Sequence, residues 1–232
     1  MLPSPEVFAE AMRELGINKE DHIVVYDSKD LGIFSAPRVG WTFRVMGHEN
    51  VRVLNSFKTW VDELYPTEVG EPKEGFHPSE YPVPTLNRDM VISFEELTGL
   101  LRDQGKEGAE GQVLDARPYG RWTGDFPEPR PGISSGHMPG SISVAISDLV
   151  DPNSGILYGR EKLRKIFEEK GIDPQKPVIN TCGTGVTAAV IDAALVEADW
   201  GKPSDRRLYD GSWTEWAQRA KGEKDMIVQR AD

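Results

Sequence analysis

The chain has 232 residues, 38% hydrophobic and 28% charged, with a formal net charge of −11 at pH 7. That composition suits a globular protein of one large or two small domains, and it is too acidic for unaided nucleic-acid binding, which needs a basic footprint. A single cysteine, Cys182, excludes an intrachain disulfide and a Cys-rich zinc site; the histidines (His22, His48, His77, His137) lack metal-ligand spacing, and no apolar run is long enough to span a membrane.

The start, MLPSPEVFAEAMREL, predicts an amphipathic helix. It lacks the features of a secretory signal, and it is acidic where a mitochondrial leader is Arg-rich. With one thiol, a reducing compartment is expected, cytoplasmic or mitochondrial. The helix leads through a Gly-Ile turn into the apolar strand of PEVFAEAMRELGINKEDHIVVYD, Pro5 to Asp27. The same order returns in REKLRKIFEEKGIDPQKPVINTC, Arg160 to Cys182, and the interval from Gly16 to Asp27 equals that from Gly171 to Cys182. Each copy continues with a loop and a helix (SAPRVGWTFRVMG; VTAAVIDAALVEA). A short strand and a Trp-bearing segment follow (VRVLNSFKTW; RRLYDGSWTEW). The chain is therefore a tandem duplication of an α/β unit.

Strands alternating with helices predict α/β domains, each a parallel sheet with helices on both faces. Chemistry in such sheets sits beyond the carboxyl ends of the strands. Asp27 and Cys182 fall there, a carboxylate in one copy and a thiol in the other. Residues 69–86, VGEPKEGFHPSEYPVPTL, are rich in Pro and Gly and read as a linker. Residues 87–232 then form a complete unit, whose front part carries a helix (SFEELTGLLRD) and strands (QVLDAR; SISVAIS). Residues 1–68 have no counterpart of that front part. The first domain is expected to be incomplete, either because the duplication is partial or, the favoured reading, by truncation or an internally assigned start. It should then expose a sheet edge and apolar surface.

VINTCGTGVTAAV reads as a strand, a loop from Cys182 to Thr187, and a helix start. Gly183 and Gly185 let the backbone curl and turn several N–H groups inward, and the helix N-terminus adds its positive end. Such a nest stabilises negative charge on sulfur and on a bound persulfide. The competing reading is a buried structural cysteine. A phosphatase loop is excluded, because the residue six places after Cys182 is Ala188 rather than the phosphate-clamping arginine.

CGTGVTA resembles the active loop of the 3-mercaptopyruvate sulfurtransferases, typically CG[ST]GVTA; thiosulfate-using relatives usually carry Arg and Lys after the cysteine. LDARPYGRWTGDFPEPRPGISSGHMPGS, YDGSWTEW and VVYDSKDLGIFSAPRVGWTFRVMGH agree with the same tandem rhodanese family over essentially the whole chain. The resemblance implies two rhodanese-like domains, the first inactive. Cys182 would be the nucleophile, and the loop residues Gly183, Thr184, Gly185, Val186 and Thr187 would face the substrate. Arg121 and Arg130 would bind it, since two guanidinium groups suit a carboxylate beside a ketone. The Thr184 hydroxyl either relays a proton and bonds the persulfide or caps the following helix. Thr187 is expected as a cap or loop hydroxyl, His137 as the fixer of a turn, and Asp115 with Arg117 as a structural pair.

The resemblance also implies no cofactor and no metal. The expected partners are a small-molecule sulfur donor and a thiol acceptor such as thioredoxin, or cyanide. Neither nucleic acid nor membrane is expected, and the oligomeric state is left open. A thiosulfate-preferring enzyme and a non-catalytic sulfur-relay module are the rival readings. Departures from the family pattern are the start at MLPS, before which the family places an Asp and a His, the VLNSF without the Gly-Gly often found after VLN, and Ala189 where a second cysteine is common.

Overall fold

The computed structural model describes residues 1–70, 77–103, 111–223 and 225–229. The first unit runs through helix α1 (Pro5–Glu14), strand β1 (Ile23–Val25), helix α2 (Ala36–Val45), strand β2 (Val51–Val53) and helix α3 (Phe57–Asp62). The second opens with helix α4 (Phe94–Arg102), strand β3 (Gln112–Asp115), helix α5 (Tyr119–Thr123), strand β4 (Ile142–Ser143) and helix α6 (Ile146–Leu149). It then repeats the first unit element for element: helix α7 (Arg160–Glu169), strand β5 (Val178–Thr181), helix α8 (Ala188–Glu197), strand β6 (Arg206–Leu208) and helix α9 (Ser212–Arg219).

The repeat extends to the helix ends. Both α1 and α7 stop at a left-handed glycine, Gly16 (φ +69°) and Gly171 (φ +70°), a conformation that a Cβ disfavours. The Gly16 and Ile17 N–H groups donate back to the Arg13 and Met12 carbonyls, and those of Gly171 and Ile172 to Glu168 and Phe167. The Gly-Ile turn in each copy is thus one paired C-cap that satisfies the last helical carbonyls.

All sheet pairings are parallel. The first unit holds the pair β1–β2, and the second holds β4-β3-β5-β6. In the second unit α7 and α8 contribute Leu163, Phe167, Ile191 and Leu195 to one face, while α4 and α9 contribute Leu97, Trp213 and Trp216 to the other. All four residues of β5 are buried as a result. In the first unit α1 and α2 cover one face only. Gly40 of α2 lies so close to the strands that a Cβ would meet Val53 Cγ2 at 2.9 Å. Ile23 and Val25 turn toward that cover, and Val24 and Tyr26 are 58% and 56% exposed. Among the described residues the β1 edge that corresponds to the β3 side of β5 has no strand partner. This edge, with Val24 and Tyr26 beside it, is the exposed edge and apolar surface of the first unit.

The two units share a seam. Helices α2 and α8 pack together, so that Trp41 and Val45 belong to the same core as Ala194 and Leu195. Arg44 pairs with Asp192 at 2.8 Å, Asn55 exchanges two hydrogen bonds with the Leu157 backbone, and the Ile33 N–H donates to Gly155 O. Within the stretch read as a linker, residues 71–76 lie outside the described residues. Beyond them Tyr81 is 1% exposed, packed edge-on against Phe8 with its hydroxyl 3.0 Å from His48 Nδ1. This aromatic anchor, carrying little weight in a Pro/Gly-rich composition, ties the described part of the stretch to the first unit together with Ser79, which donates to the Arg13 and Ile17 carbonyls.

Candidate active site

Strand β5 ends at Thr181, and the chain curls through Cys182–Thr187 before α8 begins, as the sequence predicted. Cys182 is 2% exposed and forms part of the floor of a cavity of about 370 Å³. Gly185 (φ +82°) bends the loop so that its own N–H lies 3.0 Å from Cys182 Sγ.

The loop carbonyls are tied the other way. The Trp213 N–H, at the start of α9, donates to Cys182 O at 2.8 Å. The N–H and hydroxyl of Thr214 both donate to Gly183 O, at 3.0 and 2.7 Å. Arg38 Nη1, from α2 of the first unit, donates to Gly185 O at 3.0 Å. A planar trans peptide points its N–H opposite its C=O. The N–H groups of Gly183, Thr184 and Val186 are therefore turned toward the sulfur side, and they find no acceptor among the described residues. YDGSWTEW thus acts here as the outer clamp of the cysteine loop.

The cavity wall opposite the loop carries the arginines. Arg121, on α5, lies 3.8 Å from Glu128 and is about one-third exposed. Arg130 is exposed, with Nη1 3.4 Å from Thr214 Oγ1. Both line the cavity with Thr184 and Thr187. The cavity lining gathers Cys182, Arg121, Arg130, Gly183, Thr184, Val186 and Thr187, while Gly185 lies outside it with its N–H on Cys182 Sγ. Neither threonine caps α8 by its side chain. Thr187 holds the N-cap position, but its backbone is already helical (φ −73°, ψ −14°) and its hydroxyl makes no cap bond. The Thr184 hydroxyl has no protein partner among the described residues and lines the cavity.

Asp115 and Arg117 are the buried pair expected, 0% and 2% exposed, with Arg117 Nη2 at 2.6 Å from Asp115 Oδ2. Burial alone would lower the Arg117 pKa; Asp115 and Glu128 outweigh it and hold the guanidinium charged. Arg117 also donates to Glu128 at 2.8 Å and lies over the Trp213 ring at 4.1 Å. Glu128 therefore joins Arg117 to Arg121. The sequence reading missed it, because its role depends on a loop fold with no local signature. His137 lies outside the cavity lining. It stacks on Trp122 at 3.8 Å, its Nδ1 donates to Trp122 O at 2.7 Å, and burial pushes its pKa down. It fixes a turn.

In the first unit Asp27 stands at the corresponding strand end. Its carboxylate accepts the N–H groups of Phe34, Ser35 and Ala36 at 2.7, 2.9 and 3.0 Å, and the Ser35 hydroxyl. Burial alone would raise its pKa; these donors overcome that and hold the carboxyl below its usual range. A larger cavity of about 780 Å³ lies at the seam, away from Cys182. It has no cysteine or histidine in its lining, and two of its arginines are ion-paired, Arg44 with Asp192 and Arg207 with Glu96.

Among the described residues no group of three or more His, Cys, Asp or Glu side chains is placed to hold a metal ion. No helix among them is long and apolar enough to cross a membrane.

The family model described as the Rhodanese-like domain matches residues 94–219, spanning α4 to α9. The chain is 37% identical over 230 residues to the probable 3-mercaptopyruvate sulfurtransferase of Schizosaccharomyces pombe, covering 98% of this chain and 74% of that protein. It is 42% identical over 224 residues to the thiosulfate sulfurtransferase of Bos taurus, covering 95% and 71%. The crystal structure of the Tum1 protein from Saccharomyces cerevisiae superposes with a TM-score of 0.87 at 36% identity, over 100% of this chain and 77% of that one. With the cysteine loop, the strand order and these likenesses together, the chain belongs to the family of rhodanese-type sulfurtransferases.

Proposed function

We propose that Cys182 carries sulfur as a persulfide, taken from 3-mercaptopyruvate and passed to a thiol, with pyruvate released. One observation carries this reading. The only cysteine of the chain lies under a loop whose N–H groups turn toward its sulfur, on the floor of a cavity walled by Arg121 and Arg130. Catalysis is assigned to residues 87–232, joined by 69–86 to a non-catalytic unit, 1–68.

The two arginines hold the donor's carboxylate and ketone oxygen by charge-assisted hydrogen bonds. The Cys182 thiolate attacks the donor sulfur. An S–S bond forms, the C–S bond breaks, and its electron pair leaves on carbon as the enolate of pyruvate. The donor's thiol proton moves to that carbon, with the Thr184 hydroxyl placed to relay it. The loop N–H groups stabilise the terminal sulfur anion. In the second step a thiolate attacks the outer sulfur, returning Cys182 and releasing a persulfide. Thioredoxin, a small thiol or cyanide serves as acceptor in this reading, in a reducing compartment, cytoplasmic or mitochondrial.

The neutral pair Gly183-Thr184 favours mercaptopyruvate over a dianionic donor, which prefers added positive charge. The likeness to the bovine thiosulfate sulfurtransferase, at 42% identity, favours thiosulfate as the second reading. Purified protein is incubated with each donor, and its intact mass is measured beside Cys182→Ser. A gain of one sulfur, absent from the variant and removed by thiol, is expected, faster with mercaptopyruvate. Faster loading by thiosulfate reverses the donor assignment, and no gain from either overturns the carrier role.

A further inference from the structure

Of the three carbonyls that tie the sulfur loop outward, two are held from within the same unit, by Trp213 and Thr214. The third, that of Gly185, is held from the other unit by Arg38. Its peptide continues into the Val186 N–H, which a planar trans bond points away from Arg38 and toward the sulfur side. Gly185 is also the residue whose own N–H lies on Sγ. Whatever fixes Gly185 therefore sets two of the donors that would face a carried sulfur.

We propose that Arg38 is a positioning residue for sulfur transfer, supplied by the unit that has no nucleophile. It is 7% exposed, lies over the Trp41 ring at 4.7 Å, and pairs through Nη2 with Asp210, in the turn between β6 and α9. Gly185 packs directly on it: a Cβ there would meet Arg38 Nη1 at 2.9 Å and Asp210 O at 2.8 Å. Arg38 lies outside the lining of the donor cavity, so it acts on the donor only through the loop. Its own helix is anchored at the first turn by Asp27. The carboxylate at the nucleophile's place in the first unit thus fixes the helix that carries the arginine. This role rests on reading Cys182 as the sulfur carrier.

The test uses the full chain in single-turnover loading from 3-mercaptopyruvate, quenched and read by intact mass, with melting curves run in parallel. In folded Arg38→Gln the maximal loading rate is expected to fall about 10- to 100-fold, somewhat less than the loss of a direct transition-state donor. The donor concentration for half-maximal rate should stay within about twofold, because Arg121 and Arg130 are untouched. Asp210→Asn, which keeps the Gly185 bond but removes the ion pair, is expected to give a smaller fall of the same kind. Wild-type loading rates in folded R38Q overturn the proposal, as does a loss expressed only in the half-maximal concentration. If R38Q does not fold, D210N decides, and its loading at the wild-type rate overturns it. A wild-type chain that gains no sulfur overturns the carrier reading itself and is distinguished from these results.

Discussion

The two repeats place one element in the same position and fill it differently. At the end of β1 the helix-start N–H groups of Phe34, Ser35 and Ala36 are already occupied by the Asp27 carboxylate. At the end of β5 the loop N–H groups of Gly183, Thr184 and Val186 have no acceptor among the described residues, and a sulfur lies beneath them. One nest is closed by an internal anion and stabilises the fold; the other is open and available to a bound one. The strands differ in parallel. β5 is buried on both faces, whereas β1 turns Val24 and Tyr26 outward. The tryptophans at matching places follow suit: Trp216 is fully buried, and Trp60 is 36% exposed against Tyr65. Among the described residues only the second repeat holds its strand end between packed layers on both faces.

The sharpest way to break this comparison is to move the thiol. In Asp27→Cys combined with Cys182→Ser, the first repeat carries the only cysteine, without Arg121 and Arg130 across from it. Intact mass after donor treatment should show no added sulfur, a complete loss relative to wild type. Loading of this double variant would mean that a strand-end thiol alone suffices.

Arg117→Ala comes next in size. It leaves Asp115 and Glu128 as buried carboxylates without their common partner, which costs about 3–5 kcal/mol. Urea denaturation should show it, with the donor site weakened as well, since Glu128 links Arg117 to Arg121. A loss below about 1 kcal/mol would mean that this wall of the site does not depend on the buried pair.

Removing one donor arginine should cost about 1.5–3 kcal/mol, or roughly 10- to 100-fold in kcat/KM, the range for a hydrogen bond to a charged group. Arg121→Ala should lose more than Arg130→Ala, because Arg121 is the less exposed and is steered by Glu128, whereas Arg130 is held only at 3.4 Å by Thr214. Steady-state kinetics with mercaptopyruvate checks the order.

The smallest effect belongs to the closed nest. Asp27→Asn keeps the shape but loses the charge, at a cost of about 1–2 kcal/mol at neutral pH. The folded-state pKa of Asp27 is depressed, so its contribution is present above the unfolded value near pH 4 and is lost as pH falls through the lowered folded value. The stabilities of wild type and variant should therefore converge as pH falls through that lowered value, and a difference unchanged by acid would refute the assignment.

Much of this was legible in the order of residues. Gly16 and Gly171 mark helix ends because only a left-handed residue closes them. The matched intervals from those glycines place Asp27 and Cys182 at equivalent strand ends. Two glycines after a strand-end cysteine predict a curled loop. Glu128, Thr214 and Arg38 were not legible as site residues, because each acts across a distance that the chain closes only by folding. Arg38 reaches Gly185 from the other repeat, and Glu128 folds back from its loop onto both Arg117 and Arg121. Tyr81 was missed for a related reason, as one aromatic in a Pro/Gly-rich stretch gives no periodicity.

The sequence by itself determined the tandem α/β architecture and a strand-end cysteine followed by a curled glycine loop, since these follow from local periodicity, turn chemistry and residue type, whereas Arg121 and Arg130 were singled out only by the resemblance to the rhodanese family. Tertiary structure alone decided which way the loop peptides face, which carboxylate meets which arginine, and that Arg38 of the first repeat holds the Gly185 carbonyl of the second. Hydrogen-bond direction depends on partners distant in the chain, and packing brings those partners together.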